Sequence, residues 1–148
     1  MKGICSVKYS KYLIFILCIV QCTILTSCSN HTPTQDDFSL SIVNSETVVT
    51  ANETITFVAV LKNSSSNKYT LQHGIPLIGM YIHAPDEEHE GYVHTSLVET
   101  KISENESITK SANFKFTEKG KYILEAFSSF SVNGREYRLT DTIQLIVE

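Results

Sequence analysis

The strongest constraint on this chain is its last portion, where Lys121 to Val132 and Arg135 to Val147 run on either side of Asn133 and Gly134. Tyr122, Leu124, Ala126, Phe130 and Val132 share one parity of the first run, and Tyr137, Leu139, Ile143, Leu145 and Val147 share one parity of the second. Period two is the repeat of a strand, whose successive side chains point to opposite faces. Asn-Gly is the dipeptide that accepts the two positive φ angles of a type I′ turn, so the two runs read as a long terminal β-hairpin. Asp141 falls on the apolar parity of the second run. A carboxylate there predicts an edge position or a bulge nearby.

A hairpin of this kind exposes an apolar row and needs a second layer to cover it. The preceding residues supply one. Phe38, Leu40 and Ile42 alternate with Ser39 and Ser41, and Thr54 to Lys62 sets Ile55, Phe57, Ala59 and Leu61 on one face before the turn cluster of Asn63, Ser64, Ser65, Ser66 and Asn67. Tyr69, Leu71 and His73 alternate until Gly74 and Pro76 interrupt, and Leu77 to His83 follows as a further strand with Ile78, Met80 and Ile82 on one side. Ala84 to Gly91 is acidic, contains Pro85 and reads as a loop; Tyr92 to Glu99 and Ser107 to Phe116 read as weaker strands, with Ala112, Phe114 and Phe116 on a common face. No window carries a helical stripe. Short strands separated by turns over about 110 residues are the pattern of an all-β antiparallel sandwich, here of about seven or eight strands.

The start of the chain is of another kind. Lys2, Lys8 and Lys11 precede a nearly continuous apolar run from Tyr12 to Leu25, too short for the roughly 20 residues of a spanning helix and followed at once by Ser29, Asn30 and His31. This is the order of a secretory signal, and its end, Leu25-Thr26-Ser27-Cys28, resembles the lipobox of bacterial lipoproteins. The resemblance implies cleavage between Ser27 and Cys28, a diacylglycerol on the Cys28 thiol, and residence on the extracytoplasmic face of the cell membrane. The implied organisation is a signal peptide over 1–27, a lipidated Cys and flexible tether over 28–37, and the sandwich domain over 38–148. All four cysteines (Cys5, Cys18, Cys22, Cys28) lie in or at the edge of the leader, so the domain has no thiol for a disulfide or a zinc site. Losing the three lysines takes the formal charge from -4 to -7. A polyanion of that charge is a poor nucleic-acid binder, and its membrane contact falls to the acyl chains rather than to a basic patch.

Gly120, Lys121 and Tyr122 sit where strand F of an immunoglobulin-like domain would open, the place of a tyrosine whose hydroxyl bonds back to the main chain. With that tyrosine, the strand running into Asn63, and His73 with Gly74 and Pro76, the chain resembles the small immunoglobulin-like lipoproteins of Bacillus-type bacteria and, more remotely, the intracellular proteinase inhibitor domain. The resemblance implies an immunoglobulin-like β-sandwich. It carries no inhibitory residue across.

Candidate chemistry is sparse. His83, Asp86, Glu87, Glu88, His89, Glu90 and His94 form the densest polar cluster, yet their spacing matches no defined metal motif, and a solvated acidic loop is the expected state. There is no nucleophile elbow and no phosphate-binding glycine loop. Asn52, Asn63 and Asn105 open acceptor-like tripeptides that read as turns. The expectation is a non-catalytic module without metal or cofactor that binds an envelope protein or peptide. Ile75 to Leu77 and Ala84 to Gly91 are the loops available to a protease-inhibitor-like alternative, and a metal-binding or hydrolytic envelope protein is the competitor from another class.

Overall fold

The computed structural model describes residues 32–44, 46–87 and 96–148. The expected leader, the expected cleavage point at Ser27 and Cys28, the first four residues of the expected tether (28–31), and Glu88, His89, Glu90 and His94 of the acidic cluster lie outside the described residues.

Among the described residues eight strands form two sheets: β1 (Phe38–Ile42), β2 (Val48–Val49), β3 (Thr54–Asn63), β4 (Tyr69–His83), β5 (Val98–Ile102), β6 (Ser107–Lys115), β7 (Gly120–Val132) and β8 (Arg135–Val147). One sheet has the order β1-β3-β6 and the other β2-β8-β7-β4-β5. Apart from the parallel β2/β8 contact, every pairing is antiparallel. In immunoglobulin order, β1, β3 and β6 stand as strands A, B and E, and β4, β5, β7 and β8 as C, C′, F and G. The chain is an immunoglobulin-like β-sandwich.

The expected hairpin is present without a slip. Gly120 pairs with Val147 and Val132 with Arg135 in one unbroken register. Asn133 and Gly134 adopt φ of 52° and 80°, the left-handed geometry the turn requires. Even-numbered residues of β7 from Leu124 to Val132 face inward and are buried.

The inner faces meet in two clusters. At the end of the sandwich holding the hairpin tip, Phe38 sits in an aromatic box, its ring centroid 5.3 Å from Tyr69, 5.0 Å from Phe130 and 5.2 Å from Tyr137. At the opposite end Phe57, Phe116, Leu124, Leu145, Val147 and Val49 pack together. Tilted and edge-on rings are the arrangement the aromatic quadrupole favours.

Four features differ from the sequence reading. Tyr69–His73 and Leu77–His83 are one strand, because the interruption at Gly74 and Pro76 is absorbed as a bulge. The fifth strand is Val98–Ile102, displaced toward the C-terminus from the expected Tyr92–Glu99; Tyr92 to Thr95 lie outside the described residues. Val48–Val49 forms a short strand that two residues cannot announce by periodicity; it is held by bonds from Ile146 N to Thr47 O at 2.7 Å and from Glu148 N to Val49 O at 2.9 Å. The compact unit begins at Pro33 rather than Phe38. Pro33 is buried, and its carbonyl accepts the Tyr137 hydroxyl at 2.6 Å and the Arg135 guanidinium at 3.3 Å. A 3₁₀ turn over Gln35–Asp37 follows, closed by Thr34 N donating to Asp37 Oδ2 at 2.9 Å.

Candidate functional site

The most irregular place among the described residues is the bulge in β4. Between His73 and Ile78 the strand advances five residues while its partner β7 moves only from Phe130 to Ser128, so three extra residues are looped out. The loop contains the cis bond Ile75-Pro76, and Ile75 projects with 64% of its surface exposed. An odd number of extra residues switches the parity of the inward row from Tyr69, Leu71 and His73 to Ile78, Met80 and Ile82. That switch is why the two halves looked like separate strands.

Two buried polar groups brace the loop. His73 is 6% exposed; its Nδ1 donates to the Gly74 carbonyl, which leaves Nε2 to accept the Thr100 hydroxyl at 2.8 Å. Across the sheet the Ser128 hydroxyl donates to the Leu77 carbonyl at 2.8 Å. Both ring nitrogens of His73 are therefore engaged in holding the backbone. Its place is structural.

The acidic cluster is only partly in view. His83 Nδ1 donates to Ala84 O at 2.8 Å, and Ala84 N donates to Glu87 Oε2 at 3.2 Å. Asp86 and Glu87 are exposed. Among the described residues no group of three ligand-type side chains meets. Nearby, a shallow groove of about 420 Å³ is lined by Thr47, Pro85, Lys121, Tyr122, Ile123 and Ile146.

Asp141 occupies an edge position with no bulge beside it. Its Oδ2 accepts the Ile42 N–H at 2.7 Å, tying the edge of one sheet to the other. Sequence reasoning missed Asn63, taken for a surface turn residue. It is fully buried: Nδ2 donates to Asn67 O at 2.6 Å and to Ser103 O at 2.8 Å, while Oδ1 accepts from Ser65 N at 3.1 Å and Ser65 Oγ at 2.9 Å. Every polar valence of the amide joins two turns. Tyr122 makes the anticipated bond, its hydroxyl donating to Glu118 O at 3.2 Å, but the ring is half-buried against Phe116 rather than enclosed.

The open edges bear on binding. Asn63 N donates to Glu106 O at 2.9 Å, which sets the bonded pairs of β3 and β6 and turns the peptide groups of Thr109, Ser111 and Asn113 outward. No described strand pairs with that edge. Lys110, on the inward parity opposite Ala59, guards it with a charge.

The two sheets, their strand order and the tyrosine at the opening of β7 define an immunoglobulin-like β-sandwich domain. Among solved structures the chain is similar to the CARDB domain of a Pyrococcus furiosus protein, a complex with di-metal ions, at 14% identity and a TM-score of 0.51, covering 76% of this chain and 88% of that one. It is also matched by the sporulation control protein Spo0M of Bacillus subtilis, at 13% identity and a TM-score of 0.47, over 76% of this chain and 49% of that one. At such identity the likeness is one of fold. No protein-family model matches the chain, and no curated protein matches it by sequence.

Proposed function

We propose that the chain is a lipid-anchored, non-catalytic module on the extracytoplasmic face of the cell membrane, cleaved after Ser27, held by acyl chains on Cys28, and presenting its sandwich to a protein or peptide of the envelope. The observation that carries the reading is the order of the first 28 residues: basic leader, short apolar run, then Leu25-Thr26-Ser27-Cys28. Two or three acyl chains hold a protein far more firmly than one, because each buried methylene contributes about 0.8 kcal/mol. The single cysteine-free sandwich supports the module half of the reading, since its loops and strand edges are of the kind that take partners by contact. Membrane fractionation and intact mass of the wild type beside Cys28→Ser test it. Loss of membrane retention and of the processed mass in the variant is the expected result; an unchanged distribution and mass refute the anchor. Crosslinking of the anchored protein in cells, read by mass spectrometry, identifies the partner.

The exposed Ile75 on a braced bulge favours one second reading, a protease-inhibitor-like role in which Ile75 to Leu77 enters a protease cleft. A protease panel separates the two. Inhibition that disappears in Ile75→Asp supports the second reading, and no inhibition at micromolar protein removes it.

A further inference from the structure

The way Pro33 is fixed determines which end of the sandwich faces the membrane. Pro33 is buried and its carbonyl is bonded to Tyr137 and Arg135, beside the tip of the β7–β8 hairpin. Asp37 continues the attachment, its carbonyl accepting Ser64 N at 2.8 Å and its carboxylate the Tyr69 hydroxyl at 3.2 Å. The chain therefore meets the domain at a single pinned place. Only Ser29, Asn30, His31 and Thr32 separate Cys28 from Pro33. Fully extended, that separation is about 16 Å at roughly 3.3 Å per residue, whereas the 13 residues of β7 give the sandwich a length of about 40 Å. A tether shorter than half the body cannot let the body turn over.

We infer that the end of the sandwich formed by the Asn63–Asn67 turn, the Ser103–Glu106 turn and the hairpin tip is held against the lipid headgroups, and that the opposite end, with the Asn52 turn, Lys119 and the Ala84–Glu87 segment, is presented away from the membrane. The inference rests on the lipid anchor at Cys28. Adhesion does not set the orientation. The membrane-side end mixes Lys68 and Arg135 with Asp36, Asp37, Glu104, Glu106 and Glu136, a net negative set that gives no attraction to anionic lipid. The bulge with Ile75 lies on the flank near that end, since His73 pairs with Phe130, so partners that approach from the aqueous side meet the far end and its groove first.

The domain contains no cysteine, so single labelling sites are clean. Ser66→Cys and Lys119→Cys, each in the full-length lipidated protein, carry a small fluorophore in vesicles whose lipid headgroups bear a quencher. Quenching at position 66 at least about five-fold that at position 119 is expected, and inserting twelve Gly/Ser residues between Thr32 and Pro33 should bring the two together, because a flexible insert of that length frees the body to rotate. Equal quenching in the native-length protein, or stronger quenching at 119, overturns the inference. A difference that survives the insert also overturns it, by showing that the surface adheres and the tether is not the cause. Failure of the parent protein to fractionate with membranes, or retention of Cys28→Ser, is read separately before labelling; it removes the anchor and with it the orientation.

Discussion

Phe57 is fully buried, with its ring centroid 6.0 Å from that of Phe114. Phe57→Ala should lower unfolding stability by about 3 to 5 kcal/mol in urea titration, and a loss under about 1 kcal/mol would contradict that burial. Tyr122→Phe should cost only about 1 kcal/mol, the worth of a single bond at a half-exposed site. Asn63 is the less expected case. Asn63→Ala strips partners from the Asn67 and Ser103 carbonyls and from Ser65, and should cost about 2 to 3 kcal/mol. Among the described residues, Tyr69 and Glu106 are displaced from their ordinary titration ranges. Burial, together with the Asp37 carboxylate, pushes the Tyr69 hydroxyl above its ordinary value. The unfolded chain thus loses that proton first, so the stability is complete below the ordinary tyrosine range and falls as pH rises through it. Tyr69→Phe should flatten the alkaline limb of stability against pH, and an unchanged limb would assign it to other groups. The Ser103 N–H lowers the Glu106 carboxyl, whose contribution is present above the ordinary glutamate value and lost as pH falls through the depressed one.

Strands and turns obey the same physics at greater length. The β7–β8 register depends on a turn with φ of 52° at Asn133 and 80° at Gly134, so Gly134→Ala should destabilise by about 1 kcal/mol without altering the strand pairing. On β4, Gly79 is the position where the opposite strand needs space. A Cβ placed there would lie 2.0 Å from Cζ of Phe127, whose ring lies across the glycine, so even Gly79→Ala must displace the ring and should cost about 1 to 3 kcal/mol. The β6 edge behaves differently, since its central lysine acts against pairing rather than for it. Lys110→Val should leave the monomer folded and raise self-association in light scattering, because the removed charge is what blocks edge-to-edge addition. Equal scattering from the variant and the wild type would show that the outward peptide groups are blocked in another way.

For the whole molecule the decisive comparison is between two fragments. One beginning at Pro33 retains the carbonyl that accepts Tyr137 and Arg135, whereas one beginning at Phe38 leaves the buried Tyr137 hydroxyl without that acceptor. Both should give a β-dominated circular dichroism spectrum indifferent to reductant, as expected of a sandwich without cysteine. The shorter should unfold at lower urea, by about 1 to 3 kcal/mol. Equal midpoints would show that Pro33 to Asp37 adds nothing to the body, and would remove the pinned attachment on which the proposed orientation rests.

Alternation by itself determined the all-β class, the limits of β1 and, to within one residue, those of β3, β6 and the terminal hairpin, and the inward rows of Phe38, Phe57, Leu124 and Leu145, because a strand's period is written in consecutive residues and needs no distant partner to be read. Asp141 was half legible for the same reason: a charge on an apolar row calls for an edge or a bulge, and the structure supplies the edge. Tertiary structure alone decided the rest. Joining the halves of β4 required β7 to pair on both sides of a three-residue bulge, pairing Val48–Val49 required the end of β8, burying Asn63 required two turns 40 residues apart, and docking Pro33 required a tyrosine 104 residues away. Each of these depends on hydrogen bonds between residues remote in sequence, and a local pattern holds no record of the group that will meet it.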